Sequence, residues 1–118
     1  GDLTARSEAT ATMRAIAGTA MQYPLFGGYG LAVWLTHLTG IDEIAIIGTD
    51  TSPMERVVWD TFRPNAVVAL GDGSPTEVPL LADRPLTDRT QAYVCRDLVC
   101  DLPVDTPTAL ATRIGVPA

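Results

Sequence analysis

Two short apolar runs constrain this chain more than any other feature. They are Glu43-Ile44-Ala45-Ile46-Ile47-Gly48 and Asn65-Ala66-Val67-Val68-Ala69-Leu70-Gly71. Both are continuous rather than alternating, the pattern of a strand covered on both faces, as in parallel sheets. Between them lie the signals of a helix start. Ser52 can cap, Pro53 suits the first helical position and Glu55 completes a capping box. Met54, Val57, Val58 and Phe62 then recur on one face, which predicts a helix over 53–62. Strand, helix and strand within about thirty residues make a βαβ unit, expected to cross over right-handed. The fold class that follows is α/β.

Helical patterns precede this unit. Ala9, Met13, Ile16 and Ala20 recur at helical spacing within Leu3 to Ala20, and Gly18 weakens the last turn. Tyr23-Pro24 breaks the pattern. A second helix, from Leu25 or Gly28 to Thr39, ends at Gly40. It carries Tyr29, Leu31, Ala32, Val33, Trp34, Leu35 and Leu38, apolar nearly all round, so it expects neighbours on several sides. Residues 1–40 therefore form a helical hairpin and residues 41–118 a small α/β subdomain.

Gly71 to Thr90 holds Pro75, Pro79 and Pro85 and is the least regular stretch. Because long structureless loops are uncommon, Val78 to Ala82 is expected to form a short helix or strand. Gln91 to Cys95 reads as a third strand, turning around Asp97 and returning as Val99 to Leu102. Pro107 to Ile114 reads as a last helix, capped by Thr106 and closed by Gly115. The expected architecture is a helical hairpin followed by a two- or three-layer unit with a mostly parallel sheet and a C-terminal β-hairpin.

Charge narrows the partners. The net charge is -6, the eight basic residues are arginines scattered singly, and there is no Lys. A phosphate-binding surface needs clustered Lys and Arg, so nucleic acid is not expected. The longest apolar stretch, Leu31 to Leu38, is interrupted by Thr36 and His37 and is far short of the ~18 residues that span a bilayer, so no membrane is expected. Two cysteines do not make a disulfide scaffold, so a cytoplasmic setting is expected. The opening Gly1-Asp2, without a methionine, suggests a trimmed N-terminus or a tag scar.

The cysteines carry the most specific chemistry. With Asp97-Leu98 as a two-residue turn, Arg96 pairs with Val99 and Cys95 with Cys100. The cysteine pair is then the close, non-hydrogen-bonded kind, with Cα atoms roughly 4.5 Å apart. That separation leaves three readings: two small buried side chains, a reversible disulfide, or part of a metal site. A reduced pair is expected in a cytosolic setting. Zinc wants four ligands and His37 is the only histidine, so no metal and no cofactor are expected.

Gly48-Thr49-Asp50 and Gly71-Asp72-Gly73 follow the two buried strands, where open α/β sheets bind ligands. Neither has the glycine spacing of a phosphate loop or a dinucleotide fingerprint, so tight turns compete with a small-ligand site. His37 has no partnered Ser or Cys and reads as structural. Glu43, Asp60 and Asp72 are unpaired in sequence, and a glycosidase needs two carboxyl groups flanking its substrate. Trp34 and Trp59 read as core, with sugar stacking the competing reading.

The segment Ala92-Tyr93-Val94-Cys95-Arg96-Asp97-Leu98-Val99-Cys100-Asp101-Leu102-Pro103-Val104 resembles the C-terminal signature of the thioredoxin-domain-containing family that includes spermatogenesis-associated protein 20. The resemblance extends upstream through Pro79-Leu80-Leu81, Arg63-Pro64-Asn65-Ala66-Val67 and Glu43 to Gly48. Asp105-Thr106-Pro107 stands where the family has Asp-Pro. It implies a thioredoxin-like domain first, then a barrel of paired helices resembling six-hairpin glycosidases and N-acylglucosamine 2-epimerases, with this segment closing the chain. Leu3 to Thr39 would be the barrel's last helices.

Three functions follow as expectations. The first is a non-catalytic structural and interaction module, partnered by the preceding domains and, alone, by a second copy through its N-terminal helices. The second is a redox accessory using Cys95 and Cys100. The third is part of a carbohydrate-active enzyme, with the chemistry residing elsewhere in the parent.

Overall fold

A computed structural model describes residues 3–96 and 99–115. The chain divides into two compact units, Gly1–Gly40 and Ile41–Ala118.

The first unit is a pair of packed helices, α1 (Leu3–Gln22) and α2 (Pro24–Thr39). Pro24 takes the first turn of α2, where its missing N–H costs no helical bond. Thr36 accepts the backbone N–H of Gly40, whose φ of 78° favours glycine and ends the helix. Among the described residues of this unit, only Met13 and Ala20 are fully buried. Of the expected α1 face, Ala9 and Ile16 are exposed. Hydrogen bonding ties the helices through Thr10 Oγ1 and His37 Nε2, 3.2 Å apart, so His37 is half-buried in a structural contact.

The second unit holds β1 (Asp42–Ile47), α3 (Ser52–Trp59), β2 (Ala66–Gly71), a 3-10 turn over Pro79–Leu81, β3 (Gln91–Arg96), β4 (Val99–Cys100) and α4 (Pro107–Arg113). The sheet order is β2-β1-β3-β4. β1 and β2 are parallel, as the βαβ reading requires, with Ile44 opposite Val68 and Ile46 opposite Leu70.

The sheet is mixed, with a smaller parallel share than expected. β3 runs antiparallel to β1, with Gln91 opposite Ile47 and Arg96 opposite Asp42. The cause is the loop 72–90: it leaves the end of β2 and re-enters beside Ile47 at the same end of the sheet, without a helical crossover. β4 pairs with β3 through Arg96–Val99 and Cys95–Cys100, the register expected of the hairpin. Its tip, Asp97-Leu98, lies outside the described residues. The returning strand is shorter than expected: Asp101 still donates its N–H to Val94 O at 2.9 Å, but Leu102 is exposed, and bridge pairing resumes between Ala92 and Val104.

The core lies between one sheet face and the two helices. Ile44, Ile46, Ala92 and Val94 meet Met54, Val58, Leu110 and Ile114. Each fully buried aliphatic side chain is worth about 1.5–3 kcal/mol relative to exposure, so this layer carries most of the unit's stability. α4 is fixed by Thr106, whose hydroxyl accepts the Ala109 N–H at 3.2 Å, and by Gly115 at φ 70°.

The start of α3 differs from the capping box expected of Ser52. Thr51 occupies the cap position and its hydroxyl is spent on the Glu55 carboxylate. Ser52 lies inside the helix and donates its N–H to Asp50 Oδ1 at 3.1 Å. The helix also stops early, so Phe62 falls beyond its end and is 90% exposed, while Trp59 is 60% exposed rather than core.

Candidate functional site

Three groups of residues singled out by the sequence end in different places. The cysteines lie at the hairpin, on the sheet face opposite the helices. Cys95 is buried and Cys100 exposed, and they form a disulfide, with Cα atoms 3.9 Å apart. This corrects the expectation of a reduced pair: the direct cross-strand register brings the two sulfurs into bonding range.

A residue that sequence reasoning missed stands over the pair. One terminal nitrogen of Arg84 donates to Cys95 Sγ and to Cys100 Sγ, at 3.4 Å each. The rest of the guanidinium is held independently. Arg84 Nε donates to Leu80 O at 2.7 Å, and its central carbon lies 4.2 Å from the Tyr93 ring centroid. Tyr93 Oη donates in turn to Gln91 Oε1 at 3.0 Å. The chain is aimed at this position by Asp83, which adopts φ 58°. Aspartate is one of the few residues that visit this left-handed region without a large penalty. Arg84 sits in the stretch with no periodic pattern, where only tertiary structure could reveal its partners.

The strand-end loops form the second group. Gly48, Gly71, Asp72 and Gly73 line one open cleft of about 490 Å³, with Leu81 and Arg84 on its wall. Asp50 is not among its lining residues. Its carboxylate accepts from Ser52, and its carbonyl accepts from Thr90 Oγ1 at 2.7 Å. Asp72 makes the same kind of local turn, its Oδ1 accepting the Ser74 N–H at 2.9 Å. That backbone bond, helped by the Ser74 side chain, holds the Asp72 carboxyl below its usual range. Gly73 has φ 82°, and a Cβ there would lie 2.4 Å from that of Leu86. These residues are thus already engaged in shaping tight turns.

The remaining candidates do not converge. Glu43 lies on β1 opposite Cys95, Asp60 at the end of α3, and Asp72 beyond β2, at the far end of the sheet from Glu43. Trp34 is half-buried. Among the described residues, no group of three or more His, Cys, Asp or Glu side chains could hold a metal ion. No helix among them is long and apolar enough to cross a membrane.

Comparison with known proteins gives one relation. The chain is similar to human spermatogenesis-associated protein 20, with 34% identity over 80 residues, taking in 59% of this chain and 10% of that protein. The identity supports relatedness to that protein's family. The chain thus spans about a tenth of the relative's length. No family profile matches it, and no solved structure matches it.

Proposed function

We propose that this chain is a non-catalytic structural and interaction module of a larger protein, docking through its first two helices onto the domains that precede it. One observation carries the reading: the first half of α2 turns three large apolar side chains outward. Leu25, Phe26 and Tyr29 are 97%, 93% and 87% exposed, and no residue of α2 is fully buried. An apolar patch on the order of 400 Å² is the size at which exposed surface marks a binding site. The partial match to a much longer relative supports a parent chain able to supply that cover. The occupant in the parent would be apolar helices of the barrel that the resemblance implies.

The isolated chain has only itself to cover the patch. At ~25 cal/mol per Å², burying ~400 Å² is worth on the order of 10 kcal/mol before association entropy is subtracted. A symmetric dimer through α1 and α2 is the expected outcome. Sedimentation velocity at micromolar concentration should give a species of twice 12.5 kDa. The double substitution Phe26→Ser with Tyr29→Ser should return it to a monomer. A wild-type monomer would overturn the reading of α2 as a docking face.

A further inference from the structure

We propose that Cys95–Cys100 is a thiol–disulfide exchange site, entered by a thiolate at Cys100 and activated by Arg84. This goes beyond the docking role and involves none of the docking residues. The two sulfurs differ in access: Cys95 is 1% exposed, whereas Cys100 is an exposed residue on the short strand β4. An incoming thiolate therefore reaches Cys100 Sγ. Its electron pair forms the new S–S bond, the Cys95–Cys100 bond breaks, and Cys95 leaves as a thiolate. A second thiol, as thiolate, attacks the sulfur of the bound reagent, releases a small-molecule disulfide and leaves Cys100 reduced. Two electrons pass from two thiolates to the pair, and each new cysteine thiolate takes up a proton according to its pKa.

Arg84 acts at the first step and on the final state. Its donor nitrogen already lies 3.4 Å from both sulfurs, so no rearrangement is needed when charge develops on Cys95. A charge-assisted hydrogen bond to a thiolate is far stronger than one to a neutral sulfur. A stabilised thiolate is a better leaving group, and it also favours the reduced form at equilibrium. The guanidinium is preorganised by Leu80 O and the Tyr93 ring, and Asp83 holds an uncommon backbone conformation immediately before it.

The other charged groups around the pair decide whether Arg84 dominates. Glu43 faces Cys95 across β1 and opposes thiolate formation. Cross-strand side chains begin ~5 Å apart at Cβ, so this repulsion acts over a longer distance than the direct Arg84 contact. Asp101 follows Cys100 but is paired with Arg113 at 3.0 Å, and Arg96 is paired with Asp42 at 2.5 Å. Arg84, in direct contact with both sulfurs, is therefore the nearest charge and outweighs Glu43.

The test equilibrates the whole chain with glutathione at pH 7 over a range of reduced-to-oxidised ratios, followed by alkylation and mass spectrometry. Wild type should convert to the dithiol within that range. Arg84→Gln should need about tenfold more reducing conditions, the shift equivalent to one unit of thiol pKa. Arg84→Lys, which keeps the charge but loses the planar fork, should fall between them. In Cys95→Ser, glutathione should attach to Cys100. The reduced wild type, titrated by thiolate absorbance, should show one cysteine below the usual ~8.5. A disulfide that stays closed at every ratio would mean a purely structural bond and sink the proposal. So would an unchanged midpoint in Arg84→Gln, or two thiols titrating at or above ~8.5 in the wild type. These readouts are independent of the sedimentation result, so either idea can fail alone.

Discussion

At Gly48 a side chain has nowhere to go. A Cβ there would lie 2.1 Å from Thr90 Oγ1, 2.7 Å from its Cβ and 2.8 Å from its Cα. The glycine is needed for close approach of two backbones and not for an unusual φ. Gly48→Ala should therefore destabilise the second unit by about 1–3 kcal/mol in a denaturant melt, the usual range for overpacking. Adding Thr90→Ala should recover little, because Cβ and Cα of residue 90 remain in the way. Full recovery by Thr90→Ala would show that only the hydroxyl was in conflict. Asp72 gives a second check at this scale. Its folded-state pKa lies below the ordinary 3.8, so its turn adds stability above that range and loses it as pH falls through the lowered value. Carbon-detected NMR titration should place the Asp72 midpoint below 3.8, with Ser74→Ala moving it part of the way back. An unshifted midpoint would mean that the Asp72–Ser74 turn does not persist in solution.

Among the elements, legibility follows the length over which a pattern is sustained. β1 and β2 were readable because continuous apolar runs bounded by turn residues have few alternatives in a chain with a helix between them. The cysteine hairpin was readable in register because a two-residue turn fixes every pair behind it. α3 was readable in place but not in detail. Asp50, Thr51 and Ser52 can each cap a helix, and the sequence does not say which side chain the backbone N–H groups will meet. Phe62 looked like core because it continued the helical spacing of Met54 and Val58, yet the helix ends at Trp59 and removes it from that face. The loop 72–90 was opaque. It has one short 3-10 turn, and what fixes it is contact between residues far apart in sequence: Arg84 with Cys95 and Cys100, and Gly73 with Leu86. The candidate site was therefore half legible, the cysteines from their hairpin and the arginine not at all.

For the molecule as a whole, the division into two units separates two kinds of stability. The helix pair has few buried side chains, whereas the second unit builds its core around its central strand. Ile44, Ala45, Ile46 and Ile47 are 0–2% exposed, and β1 has strands on both sides. This central placement has a consequence in time. Successive amides of β1 donate to alternate sides, so freeing all of Ile44 to Ile47 requires both neighbouring strands to be gone, which amounts to opening the whole unit. Val99, at the other end of the sheet, needs only a short segment to lift. In hydrogen exchange, the amides of Ile44 to Ile47 should be the slowest and should report the global unfolding free energy. The amide of Val99 should exchange orders of magnitude sooner, and sooner still after the disulfide is reduced, while β1 stays slow. Equal rates at the two places would mean that the unit opens all at once, and that the hairpin has no life of its own on the slow clock of the sheet.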